Sequence, residues 1–304
     1  MGVRPKGFIE NYKPTTASRA LIERISAILV EYAAFLPLTV RQIFYRLVGT
    51  GDGYEKTDLA YKRLVDLIGN SRRGGMIGFD AIRDDGMTRE DAFDFTGVDD
   101  FLSYIERRFD DYLLNRQIGQ PFNTIVGCEA GGMVPQLASV AHSFGVPVIS
   151  GGGFDSITAK HDLAQEIAGS ERPVRLLHIG DLDPSGVHLF SSLGEDLRGF
   201  LNRLNPDVGL ETERVAVLPE HVARFGLQTV PKKAGDTKSF AGVGSDPNAT
   251  VQVEALAPDQ LAGLVTAAIE RHWDTDAQTA LEAREEEEKE RVRNWLERSL
   301  RRRP

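Results

Sequence analysis

Apolar residues recur every three or four positions over "ASRALIERISAILVEYAAF", where Leu21, Ile25, Ile28, Leu29 and Tyr32 form one stripe, and this periodicity predicts an amphipathic helix. The next stretch, "LTVRQIFYRLVGTG", places Val40, Ile43, Phe44, Leu47 and Val48 on a second stripe. Thr39 and Gln42 stand before it at capping-box spacing, and Gly49 closes it, so a second helix is expected. A third, "DLAYKRLVDLIGN", follows Thr57, and "SRRGGMIGFDAIRDDG" after it reads as a short basic hairpin or extended wing. Three short helices, the third basic, followed by a wing outline a winged-helix module, a variant of the helix-turn-helix.

The period changes near residue 120. "NTIVGC", "VPVIS", "VRLLHIG" and "RVAVL" are short β-rich runs, and the intervening segments 131–144, 157–168 and 186–203 are long enough for helices. Alternating strands and helices predict an α/β fold with a mainly parallel, Rossmann-like sheet covered on both faces. The expected organisation is a winged-helix domain over 1–90, a connecting helix over 91–119 containing "FLSYIERRFDDYLL", and an α/β domain over 120–275. A charged helix over 276–304 closes the chain, and 227–249 is a polar, Gly- and Pro-bearing loop.

Composition narrows the class. A length of 304 residues suits one large domain or two, and Cys128 is the only cysteine, which leaves no disulfide framework and no cysteine-based zinc site. A reducing, cytoplasmic setting is expected. The opening "MGVRPKGFIENYKP" lacks a signal-peptide core, and no run approaches the ~20 apolar residues of a membrane span, so no membrane role is expected. The net charge of −9 argues against a nucleic-acid partner, but its distribution reverses that reading. Residues 1–75 hold 12 Lys and Arg against 7 Asp and Glu, while the remainder is strongly acidic. A basic first quarter on an acidic body is a charge asymmetry to be explained, and its modest excess of five positive charges points only weakly to DNA by itself.

The chemistry gathers at strand ends. Glu129 immediately follows "NTIVGC", and Asp181 and Asp183 follow "VRLLHIG", so all three carboxylates fall at one edge of a parallel sheet, where open α/β sheets bind ligands. Two carboxylates that close repel unless a positive charge lies between them, and oxygen ligands of this kind suit Mg2+. The competing structural reading makes Asp183-Pro184-Ser185-Gly186 a helix-capping turn with solvated acids. Neither "GCEAGG" nor "SGGGFDS" meets the dinucleotide fingerprint, and there is no P-loop. Gly151–Gly153 is expected to serve a tight turn, His178 and His188 lack metal-ligand spacing, and Cys128 reads as a small buried strand residue.

A helical wheel turns Tyr45 away from the core stripe of its helix and sets Arg41, four residues earlier, beside it. A phenol with a pKa near ~10 is a poor nucleophile at neutral pH. A neighbouring guanidinium can bind a phosphate bidentately and stabilise a developing phenolate. The plainer alternative is a tyrosine at the rim of a core with an arginine stacked on it.

Together, "LTVRQIFYRLV" in a winged-helix context, "CEAGG" and "GDLDPSG" resemble the A subunit of DNA topoisomerase VI and its meiotic relative that makes double-strand breaks. The resemblance spans roughly residues 30–220, weakening towards 275. It implies that Tyr45 is the nucleophile, with Arg41 beside it, and that Glu129, Asp181 and Asp183 of a Toprim domain bind Mg2+, with Mn2+ as a substitute. The implied reaction on double-stranded DNA links Tyr45 to a 5′ phosphate. It further implies a homodimer whose active sites each combine the tyrosine of one protomer with the acids of the other, giving staggered double-strand breaks and a nucleoid location. Lys160 falls where the family often has an arginine, and Phe44 where many relatives have a second tyrosine. Only 44 residues precede Tyr45, so the extension that contacts the ATPase B subunit in longer members is short or absent.

Arg46, Lys62, Arg63, Arg72, Arg73 and Lys160 are the expected DNA-binding residues; Lys232, Lys233 and Lys238 are either further phosphate contacts or part of a solvated loop. Two other readings stand beside the cleavage enzyme: a metal-dependent nuclease using water, with Tyr45 structural, and a DNA-binding protein with a vestigial site.

Overall fold

The computed structural model describes residues 7–49, 53–83, 94–109, 111–150, 156–232, 240–244 and 246–300. Helix α1 (Thr16–Glu31) starts at Thr15, whose hydroxyl accepts the Ser18 amide, and buries Ile22, Ile25, Ile28 and Leu29. Strand β1 (Leu38–Thr39) leads directly into α2 (Val40–Gly49). The expected capping box forms there: the Thr39 amide donates to Gln42 Oε1 at 2.8 Å, and the Gln42 amide donates to Thr39 Oγ1 at 3.1 Å. Helix α3 (Asp58–Arg73) is capped by Thr57. Strand β2 (Ile82–Arg83) pairs in parallel with β1, so what is described of the expected hairpin returns to β1, and 84–93 lie outside the described residues.

Helix α4 (Val98–Phe109) connects to a four-stranded, all-parallel sheet of β3 (Asn123–Cys128), β4 (Val148–Ser150), β5 (Val174–Ile179) and β6 (Leu210–Ala216), in the order β4-β3-β5-β6. Every residue of β5 is buried, as expected of a central parallel strand. Side chains alternate between two cores. Ile125 and Leu176 pack with Leu163, Ile167, Leu193 and Leu197 of α6 (Ile157–Ala168) and α7 (Pro184–Leu204). Val126 and Leu177 face the other way, to Leu137 of α5 (Val134–Ala141) and Leu261 and Val265 of α9 (Pro258–Glu270). The same second core continues without a break into Ile25, Leu38, Ile43, Leu47, Leu64 and Ile68 of the N-terminal helices. Helices α1, α2 and α3 are therefore packed onto one face of the sheet.

Helix α7 begins two residues earlier than the sequence pattern suggests, because Asp183 caps it and Pro184 occupies its first turn. Helix α8 (Pro219–Phe225) follows β6, and the expected loop 227–249 is pinned at its ends by an antiparallel pair, β7 (Val230–Pro231) with β8 (Ala249–Thr250). Gly151–Gly153, Lys233 and Lys238 lie outside the described residues. Helix α10 (Thr275–Leu300) is docked along one face rather than solvated all round: Leu281 and Glu285 are 4% and 3% exposed. Among the described residues, no helix is long and apolar enough to cross a membrane.

Candidate active site at the carboxyl edge of the sheet

The three carboxylates expected at one edge are brought there by main-chain pairing. The Glu129 amide continues the ladder to Ile179 O, and Gly180 exchanges two 2.8 Å bonds with Ala216 and Val217 on the opposite side. Leu182, 3% exposed, turns into the core and forms a reciprocal bridge with Val251 at 2.8 and 3.0 Å, which leaves Asp181 and Asp183 on either side of it. Two glycines make the arrangement possible. A Cβ at Gly180 would collide with the Glu129 carboxylate, and one at Gly186 with Asp181 O. The motif GDLDPSG thus needs both glycines for close approach.

The acids are crowded. Burial pushes the Asp181 carboxyl up to about 7, helped by Glu254, Asp183 and Glu129, against the 2.8 Å bond its Oδ1 accepts from the Val253 amide. Asp183 Oδ1 accepts the Gly186 amide at 2.7 Å, so the capping reading of this residue holds alongside its place in the cluster. Glu129 Oε1 is buried 3.1 Å from Nε2 of the fully buried His178, whose imidazole burial holds below the ordinary histidine value against the pull of the Glu129 carboxylate. Among the described residues, no three His, Cys, Asp or Glu side chains stand in geometry that would hold a metal ion. The positive charge beneath the edge comes from Arg214 of β6, whose guanidinium donates to the carbonyls of Gly180, Asp181 and Gly186.

Tyr45 is not on the surface. It is 6% exposed, packed edge-on against Phe44, and its hydroxyl donates to Gln252 Oε1 at 2.7 Å. The wheel failed because α2 is covered twice, by α1 and α3 on one side and by the 3-10 turn Val253–Ala255 on the other, so that Gln42, Ile43, Phe44 and Tyr45 are buried in succession. Burial, then Glu254 and Asp181, push the Tyr45 phenol up to about 12, with Arg41 opposing. Arg41 does neighbour Tyr45, but it also stacks 5.5 Å from the Tyr61 ring. Burial works to lower the Arg41 guanidinium, but Glu254, Tyr61 and Tyr45 together outweigh it and hold it raised.

Four residues of this site were missed in the sequence: Arg214, Gln252, Glu254 and Lys56. Lys56 lies 5.0 Å from the Tyr45 ring centre and donates to Gln228 O and Thr229 O, and burial lowers its ammonium to about 8. Gln252 and Glu254 stand in "VQVEALAP", beyond the parallel sheet and without motif spacing; Arg214, charged within a strand, was the one local signal available.

The expected DNA-binding residues divide. Lys62 and Arg63 are exposed on α3. Arg72 caps Phe79 O and stacks on its ring, Arg73 donates to Gly7 O, and Arg46 donates to Ala255 O. Lys160 is a correction: it is 8% exposed and its ammonium lies 2.6 Å from Asp196, so it ties α6 to α7 and does not present a charge to DNA. No family model, curated protein or solved structure matches this chain.

Proposed function

We propose that this chain cleaves double-stranded DNA by tyrosine transesterification at a Toprim-type acidic edge, with a winged-helix module carrying the tyrosine. The observation that carries the reading is the segment 251–255, which contacts both halves of the chemistry. Its Val253 amide binds Asp181 while its Gln252 side chain binds the Tyr45 hydroxyl. The order helix, strand, helix, helix, strand over α1 to β2 supports the winged-helix part.

In this reading the Tyr45 oxygen attacks a backbone phosphorus. A Tyr45 Oη–P bond forms, the P–O3′ bond breaks, and the phenol's proton leaves as the 3′ oxygen gains one. Arg41 lies where its charge favours the phenolate. Glu129, Asp181 and Asp183 supply the all-oxygen donor chemistry that Mg2+ takes, although the three side chains do not stand in metal-holding geometry in this structure. A bound Mg2+ would supply neutralisation of the phosphate and of the leaving oxygen. Two such chains in a homodimer would make two staggered cuts.

The burial of Tyr45 favours one second reading, a nuclease in which water attacks and the tyrosine is structural. Covalent capture separates them. End-labelled supercoiled DNA is incubated with the protein and Mg2+ or Mn2+, quenched in denaturant, and compared with Tyr45→Phe and Asp181→Ala. Label retained by the wild type and lost in both variants is the expected result. Free ends that survive Tyr45→Phe but not Asp181→Ala would replace transesterification by hydrolysis.

A further inference from the structure

We propose that Phe8 and Phe79 form a stacking platform for one unpaired base of duplex DNA; the statement rests on the chain binding DNA, as read above, and not on how the DNA is cut. Phe8 and Phe79 are 76% and 53% exposed, yet their rings meet edge to face with centroids 6.0 Å apart. Neither ring hangs on a loose segment. The Arg73 guanidinium donates to Gly7 O at 2.8 Å, and the Ile9 amide donates to Arg73 O at 2.9 Å, so both neighbours of Phe8 are tied to the last residue of α3. The Arg72 guanidinium donates to Phe79 O at 3.1 Å and lies 4.8 Å from the centre of its ring. Tyr12 closes the joint, since a Cβ at Gly74 would come within 2.6 Å of it.

Single exposed aromatic side chains are ordinary, but two held outward by three hydrogen bonds and a stacked guanidinium make a surface prepared for something flat and apolar. The surrounding charge selects a polyanion. Residues 1–13 hold three Lys and Arg against one Glu, and residues 58–83 hold five Lys and Arg against three Asp. Lys62 is exposed and stands eleven residues before Arg73 on α3. That spacing puts it within about 20° of the same helix face and about 16 Å away along the axis, or about five base steps of a duplex. A nucleic-acid base offers the π face on which these rings stack, beside phosphates that Lys62 can meet. The rings stand 89° apart, so they cannot hold successive bases in a row. The platform therefore fits one base displaced from a duplex and not a run of single strand.

The test measures binding of the full chain, by fluorescence anisotropy, to a paired duplex, the same duplex with one bulged base, and its single strand. The wild type is expected to prefer the bulged duplex to the paired one by about tenfold, the contribution of one stacked base. Phe8→Ala and Phe79→Ala are expected to lose that preference, while Phe79→Tyr, which keeps a ring, retains it. Both rings are exposed, so affinity for the paired duplex is expected to stay within about twofold in every variant, which also reports folding. Iodouracil placed at the bulge and irradiated is expected to cross-link to Phe8 or Phe79, located by mass spectrometry. A preference that survives both alanine variants, or equal wild-type affinity for bulged and paired duplex, would overturn the platform. Tighter binding of the single strand than of the bulged duplex would overturn the choice of duplex. Alanine variants that change the protein's mass in solution and keep the bulge preference would give the patch to a second copy of the chain instead. A wild type that binds none of the three DNAs would overturn the DNA reading itself, whereas a bulge preference in a protein that never forms covalent adduct would overturn transesterification and leave the platform standing.

Discussion

Asp181 shows how a site residue is kept at a cost to the fold. Its carboxyl sits at about 7, first because it is buried and then because Glu254, Asp183 and Glu129 crowd it. The unfolded chain would hold the same group near ~3.9. Between those values the folded state binds the extra proton, so stability falls as pH rises through that window and stays lowered above it. Asp181→Asn keeps an oxygen for the Val253 amide and removes the charge. It is expected to raise stability at pH 8 by about 1–2 kcal/mol while changing little at pH 4. Denaturant melts of the metal-free protein at the two pH values check this; an equal effect at both would mean that charge crowding is not the cause. Arg214 lessens the crowding but does not remove it, since it spends its donors on backbone carbonyls.

Among the elements, those built by local chemistry were legible and those chosen by tertiary partners were not. The Thr39/Gln42 capping box, the Thr57 cap and the four parallel strands follow from residue order alone. The carboxylate edge followed too, because strand ends in a parallel sheet share one side. Tyr45 was misplaced because a wheel assumes one burying face, and α2 has two. The docking of helix α10 was illegible for a related reason: nothing in "EAREEEEKERVR" marks Glu285 from its neighbours. Yet Glu285 alone accepts the Leu114 amide at 2.7 Å and pairs with Arg116 at 2.9 Å and Lys289 at 3.0 Å. Burial works against its charged form, but the Leu114 amide, Lys289 and Arg116 prevail and hold its carboxyl below the ordinary value of 4.5. The stability it contributes is therefore present above about pH 4.5 and lost as pH falls below it. Glu285→Ala is expected to cost about 3 kcal/mol by leaving Arg116 without its carboxylate, and the exposed Glu286→Ala less than about 0.5 kcal/mol. Chemical denaturation at pH 7 separates the two, and equal costs would mean that α10 is not docked through Glu285.

At the scale of the molecule, the basic quarter and the acidic body share one hydrophobic core, so the charge asymmetry lies across a single packed structure. That restricts where a polyanion can approach. The acidic edge repels it unless a cation intervenes, and four of the six basic side chains expected to grip DNA are already bonded within the fold. Lys62 and Arg63, exposed on α3, are left as the charges best placed to meet phosphates. Each phosphate contact contributes a counterion-release slope of about 0.9 in log K against log salt. Lys62→Ala with Arg63→Ala is therefore expected to weaken duplex binding uniformly across sequences and to flatten the slope by about 2. Lys160→Ala should leave the slope untouched and lower stability instead, because it leaves Asp196 without its partner. Fluorescence anisotropy over a salt series reads both. An unchanged slope in the double variant would move the DNA off α3 altogether, and with it the reason for the basic first quarter.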